Sequence, residues 1–331
     1  MAIESYRKFW IAKTMDFLSV AWNIEAFGAT QINCPQRKPT LAEYKELWIA
    51  RLLEFLPISL VSDIGAYLGE NAAWRAIQDN QYQVKNLHLN IERLQGINDS
   101  ELRKHRIIEW AIQRGRMHAE FTILHKLVHE GYLEIVGQEN LKNISKPAIF
   151  VSCHLANWEL VGHIMASLSN PFCALYAPLK NPIYQKIAVK SRRKWRTDIE
   201  LVPASTRAMF QLTRALKAGS NLLLFIDEEK GGYVWGPSLG RKLPYAGNRW
   251  LAARLAVQHK VDIVPLYIEQ VDNARYRAVV EPKLQIIDSD RHSCAKYLAD
   301  QMDHHLNQWI KKRLEQWYWL AHLDLDKPCP F

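Results

Sequence analysis

KPAIFVSCHLANWELVGHIM, residues 146–165, passes from strand to helix within a few residues. Residues 148–152 are an apolar, β-rich run, the composition of a strand covered on both faces. The run stops at Cys153-His154, and a helix-like segment carrying Glu159 follows at once. A histidine at the end of a buried strand can point into a cleft, and a carboxylate one helical turn on can reach back to hold its ring. The pattern points to His154 as a general base with Glu159 as its orienting partner, in an enzyme that moves a group onto a hydroxyl or amine. The competing reading is a core histidine satisfied by a nearby carboxylate.

Outward from this run, the two sides of the chain differ. Residues 1–135 read as a helical N-terminal region: 41–55, 58–76 and 101–129 repeat apolar positions near 3.6, and Asn98-Asp99-Ser100 reads as a helix cap. Past Gly131, short β-rich runs at 133–136, 148–152, 172–176, 200–202, 222–226, 262–267 and 278–286 alternate with helical stretches at 184–196, 206–218 and 249–259. That alternation predicts an α/β core over 136–331, with a central sheet flanked by helices and the N-terminal region packed on it. Ligands in such sheets sit beyond the carboxyl ends of the strands, where His154 would lie. Residues 294–320 read as a closing amphipathic helix.

The His-x4-acidic spacing occurs three times: His154/Glu159, His125/Glu130 and His129/Glu134. On a continuous helix, five residues place side chains about 140° apart, so the pairs in the 103–129 helical stretch cannot face each other. The strand-to-helix turn singles out His154. The chain has no HExxH spacing, and no metal or other cofactor is expected. Its five cysteines are unpatterned, which implies reduced thiols. Cys153 lies on the opposite face of the strand from His154 and reads as a core filler rather than a nucleophile.

With 331 residues, 48% of them hydrophobic and 23% charged, the chain can build a sizeable core and is neither disordered nor fibrous. Of the net charge of +9, the segment 180–217 supplies most, with ten basic residues against two acidic ones. Such a face suits phosphates on nucleic acid, anionic lipid or a phosphopantetheine carrier, and it also suits plain solvation. Residues 1–31 are apolar but broken by Lys13, Asp16 and Glu25, which favours a segment lying on a membrane surface over one spanning it.

The segment HLANWE, 154–159, resembles the H-x4-[DE] signature of the lysophospholipid acyltransferase superfamily. Its Asn-Trp-Glu form is similar to the lipid A biosynthesis branch, the lauroyl and myristoyl transferases and their mannoside-acylating relatives. YAPLKNP at 176–182, LKAG at 216–219 with the strand ending at Asp227, GRK at 240–242, the block 252–265 and the tryptophan–histidine block 317–322 resemble that family's later blocks, in order. Leu56-Pro57 and NLHLN at 86–90 fit its helical N-terminal third. The chain departs from the pattern at Ala177, at Asp227-Glu228-Glu229 and at Leu323-Asp324. These departures leave the His/Glu chemistry in place and bear on the acceptor.

The resemblance implies a glycerol-phosphate-acyltransferase-like fold with a central mixed sheet. It implies transfer of a fatty acyl group from acyl carrier protein or acyl-CoA to a hydroxyl of a lipid, most often a lipid A precursor. His154 and Glu159 would be catalytic, with Asp227 or Glu228 also lining the site, where one of them could orient His154 or the acceptor; the competing reading of that acidic pair is a solvated turn before Gly231-Gly232. Asn157 and Trp158 at the start of the helix, and Arg241 and Lys242, are the expected substrate-side and oxyanion-stabilising groups. The expected partners are the acyl donor, a lipid acceptor and an anionic membrane surface, with no nucleic acid. The expected place is the cytoplasmic face of a bacterial inner membrane, peripheral or weakly anchored, or the cytoplasm. The alternatives are the same chemistry on another lipid or a secondary metabolite, a thioesterase-like hydrolase, and a non-enzymatic binding protein.

Overall fold

The structure is a computed structural model that describes residues 48–142, 144, 147–178, 182–196 and 198–327. The surface segment expected in residues 1–31 lies outside the described residues. Among the described residues, a helical stretch at 48–53 is followed by α1 (Ile58–Gln78), α2 (Tyr82–Gln95), α3 (Ser100–Glu120) and α4 (Leu124–His129). The remainder alternates as β1 (Leu133–Val136), α5 (Glu139–Lys142), β2 (Ile149–Ser152), α6 (Val161–Ser167), β3 (Phe172–Tyr176), α7 (Pro182–Arg193), β4 (Glu200–Pro203), α8 (Ala208–Lys217) and β5 (Asn221–Phe225). A two-residue ribbon, β6 (Glu229–Lys230) and β7 (Tyr233–Val234), precedes α9 (Gly247–His259), β8 (Ile263–Asp272), β9 (Arg275–Val280) and α10 (Arg291–Lys312).

Seven strands form one sheet in the order β1-β9-β8-β2-β5-β3-β4. All neighbours are parallel except the β8–β9 hairpin, so the sheet is mixed, as expected. The apolar run of β2 is buried along its whole length because it occupies the middle of the sheet. Its side chains alternate between two cores. Ile149 and Val151 join Leu222 and Leu224 on one face. Phe150 joins Leu223, Val264 and Leu266 on the other. Each such side chain, fully buried, contributes about 1.5–3 kcal/mol.

The sequence expectation fails at several boundaries, among them that of β8, which runs on from the expected 267 to Asp272. The helix expected to run through 129 ends at Glu120, and a turn separates it from α4. The strand expected over 278–286 lies at Arg275–Val280, pinned by its hairpin with β8. The helix expected over 294–320 stops at Lys312, and two short helical turns, Leu314–Gln316 and Tyr318–Ala321, follow. The cap at Asp99 is as expected, its carboxylate accepting the Leu102 amide at 2.7 Å. The two decoy pairs lead elsewhere: Glu134 binds Arg277 and Glu130 faces Lys126.

Helices α1 and α3 pack backbone to backbone. A Cβ on Gly115 would lie 2.0 Å from the Gly65 carbonyl oxygen, and one on Gly69 would lie 2.1 Å from the Ala111 carbonyl. Only glycine fits, and the obstacles are backbone atoms that cannot rotate away. Gly115→Val should destabilise the protein by about 3 kcal/mol through forced separation of these helices, read as a lower denaturation midpoint by circular dichroism. An unchanged midpoint would show that the crossing yields without cost.

Candidate active site

His154 and Asp227 are brought together by strand register. In the parallel β2–β5 pair, Ser152 lies opposite Phe225, and the ladder runs on to Ile226, whose N–H donates to the Ser152 carbonyl at 2.9 Å. Each chain continues by two residues, and His154 meets Asp227. Nδ1 of His154 lies 2.8 Å from Oδ1 of Asp227. Oδ2 accepts the His154 backbone N–H at 2.8 Å and the Trp317 indole N–H at 2.9 Å. Asp227 is wholly buried, whereas the His154 side chain retains one-fifth of its exposure.

Two groups compete for Nδ1. The Trp319 indole nitrogen lies 3.2 Å from it, farther than the carboxylate. A hydrogen bond to a carboxylate is the stronger of the two. It makes Nδ1 the protonated nitrogen, and the Trp319 contact becomes edge packing. Nε2 is then left with a lone pair, the state a general base needs.

Aromatic rings enclose the imidazole. Phe225 and Trp158 lie 4.7 and 5.0 Å away between ring centres, Trp319 5.4 Å and Tyr318 6.2 Å. Three of these residues lie after the strand run or near the chain end, and a backbone splice holds them in place. Leu155 forms an antiparallel bridge with Trp317, the Ala156 N–H donates to the Gln316 carbonyl and the Tyr318 N–H to the His154 carbonyl. Ala156 adopts φ +47° to make this turn, a left-handed conformation that costs roughly 1–2 kcal/mol and marks a site whose surroundings over-determine it.

The other carboxylates have separate tasks. Glu159 does not orient His154 as the spacing suggested: both its oxygens are held by Arg192, at 2.6 and 2.9 Å. Burial opposes the Arg192 charge, but this carboxylate outweighs it and leaves the guanidinium more basic than usual. The orienting contact belongs to Asp227. Its neighbour Glu228 turns to the start of α9 and accepts the Asn248 N–H at 2.5 Å, in the space that Gly247 leaves open. Burial pushes Glu228 up to about 7, and the adjacent Asp227 charge adds to the rise.

The structure also redistributes the expected substrate-side groups. Trp158 packs edge-on against the His154 ring. Asn157 is wholly buried and donates to Glu120 at 3.2 Å, so its side chain serves the interior. Arg241 is engaged with the carbonyls of Val234, Pro237 and Ser238 and holds the loop before α9, with exposed Lys242 beside it. Cys153 is a filler: it is wholly buried, and burial with the Asp227 charge pushes its thiol well above the ordinary range. Sequence reasoning did not assign roles to Arg192, Phe225 or the three aromatics 317–319. The order of the tryptophan block was the one signal available for the last three.

A buried aspartate holding a histidine at the carboxyl end of parallel strands is an arrangement chemically able to move a proton. The description "Bacterial lipid A biosynthesis acyltransferase" matches residues 37–323, and the chain belongs to that family. No curated protein matches the chain. Among solved structures, the chain is similar to the 1-acyl-sn-glycerophosphate acyltransferase PlsC from Thermotoga maritima, at 13% identity and a TM-score of 0.36, over 75% of this chain and 97% of that one. The chain is therefore an acyltransferase of a family named for lipid A synthesis.

Glu228 carries a titration that can be read in stability. The folded protein holds this proton up to about 7, whereas an unperturbed glutamate loses it near 4.5. The folded state therefore binds more protons between these values, and its stability falls as pH rises through them. Glu228→Gln should abolish that slope. By urea denaturation it should gain about 3 kcal/mol over the native chain at pH 8 and nothing at pH 4. Parallel profiles for the two proteins would count against a buried, proton-holding carboxyl.

Proposed function

We propose that the protein transfers a fatty acyl group from a thioester donor, acyl carrier protein or acyl-CoA, to a hydroxyl of a lipid, a lipid A precursor being the acceptor that the family description favours. The observation that carries this reading is the 2.8 Å contact between His154 Nδ1 and buried Asp227. His154 Nε2 takes the proton from the acceptor hydroxyl as its oxygen attacks the thioester carbonyl. The tetrahedral intermediate then expels the thiolate, which recovers a proton, and the acyl ester is released. Asp227 fixes the ring and balances the imidazolium that forms. The aromatic rings around His154 exclude bulk water, which favours a lipid hydroxyl over water as acceptor. Glu159 and Arg192 act together in this reading, as a positioned ion pair beside the Trp158 turn.

The membrane is the proposed source of the acceptor, with the protein peripheral at the cytoplasmic face of a bacterial inner membrane. Among the described residues no helix is long and apolar enough to cross a membrane. Trp48, Leu52 and Phe55 are strongly exposed, and a Lys194–Glu54 ion pair of 3.5 Å joins their segment to the end of basic α7. Apolar side chains beside Lys190, Arg193 and Lys194 suit an interface of anionic head groups over hydrocarbon.

His154→Ala and Asp227→Asn should each lower acyl transfer by roughly 10²–10⁴-fold while the circular dichroism spectrum is retained. The assay follows acylated lipid and free fatty acid separately by mass spectrometry. Substantial transfer by His154→Ala sinks the assignment, and free fatty acid as the main product would point to hydrolysis. Sedimentation with phosphatidylglycerol vesicles should fall in Trp48→Ser/Phe55→Ser and with rising salt. Salt-insensitive or unchanged sedimentation would remove the surface from the proposal.

A further inference from the structure

Arg114 stands apart from the other arginines of α3. Arg103 faces Glu92 at 3.2 Å, Arg106 pairs with Glu109 at 2.8 Å, and Arg116 lies 3.8 Å from Asp63. Arg114 is 9% exposed and lies between two aromatic faces, its Cζ 4.2 Å from the ring centre of Tyr318 and 4.7 Å from that of Trp110. Among the described residues no carboxylate comes within the 4.0 Å of an ion pair. Arg114 also donates a hydrogen bond to the Tyr318 hydroxyl. A largely buried cation with no carboxylate partner among the described residues is costly, and the ring faces with one neutral hydroxyl offset only part of that cost.

Two histidines share its surroundings. Burial, and then the Arg114 charge, lower His322 to about 4 and His118 to about 3, so both rings are neutral and within the field of the guanidinium. His322 packs against Trp319 at 5.5 Å, and its Nδ1 is buried with no hydrogen-bond partner among the described residues. Tyr318, the ring under Arg114, is also a wall of the His154 pocket. One tyrosine ring thus separates this guanidinium, which has no carboxylate partner among the described residues, from the proposed base.

We propose that Arg114 and His322, with His118 behind them, form an anion subsite that takes a phosphate ester of a substrate while the reacting group lies at His154. Guanidinium suits phosphate because its parallel N–H donors match two oxygens, and an imidazole can add a third donor. The phosphate supplies the counter-charge that no carboxylate among the described residues supplies. The ester group belongs either to the lipid acceptor, a few bonds from the hydroxyl being acylated, or to the phosphopantetheine arm of the donor. The inference rests on the acyl-transfer reading for the nature of the ligand, but its test does not need turnover.

The test is calorimetric binding to the full chain with paired probes. For the acceptor side these are a short-chain lysophosphatidic acid and the matching monoacylglycerol; for the donor side, 4′-phosphopantetheine and pantetheine. One phosphate-bearing probe should bind at least tenfold tighter than its phosphate-free counterpart, and the pair that shows the preference identifies the source. Arg114→Met should erase the preference and Arg114→Lys should restore part of it. If Arg114→Met fails to fold by circular dichroism, His322→Asn carries the test, with a weaker preference expected. His154→Ala should keep the preference whether or not it transfers acyl groups, which separates this inference from the assignment of the base. Equal affinities within both pairs, or a preference that survives loss of Arg114, would reduce the guanidinium to a packing element between Trp110 and Tyr318.

Discussion

The parallel register of β2 and β5 is the constraint on which the site depends. It holds two chain segments, 73 residues apart, in step for four residues and delivers an imidazole and a carboxylate to one point two residues beyond the ladder. The strands are rigid because both faces are buried, so their ends are placed by the core rather than by loop preference. A slip of one residue would turn every side chain of β2 to the opposite core, which the mixture of sizes on the two faces forbids. The geometry of the acid–base pair is thus inherited from apolar packing.

A second layer of order lies behind the strand end. Glu120 at the end of α3 is wholly buried, and burial raises its pKa above the usual carboxylate range. It accepts bonds from Tyr276 of β9 and Asn157 of the turn after His154. One carboxyl therefore ties the helical region, a sheet strand and the active-site turn together. Groups of this kind add little net stability, but loss of any partner leaves a buried polar atom unpaired, which favours a single arrangement.

Much of this was legible in the sequence. The alternation of apolar runs and helices beyond Gly131 specified the α/β sheet, and the abrupt end of the run at Ser152 placed His154. Local spacing favours Glu159 as partner, whereas the contact comes from a parallel neighbour far along the chain. Asp227 and Glu228 both read as strand-end acids able to orient His154 or the acceptor, and choosing Asp227 depends on strand order and register, which periodicity does not encode. The aromatic wall and Arg114 were invisible for the same reason: they come from a helix and a chain end that meet only in three dimensions. The break after Glu120 escaped notice because the apolar repeat runs on through the turn.

Asp227 accepts hydrogen bonds from His154 and from Trp317, and the turn after His154 is spliced to residues 316–318. Trp317 and the rings of Tyr318 and Trp319 follow all the sheet strands in chain order. The strands alone bring the imidazole to its carboxylate, whereas the indole and these two rings join only when residues 316–318 dock on the turn. A molecule with its sheet intact and that segment undocked would hold the pair without its wall, so shelter from water is set by the docking of one short segment rather than by the folding of the sheet itself.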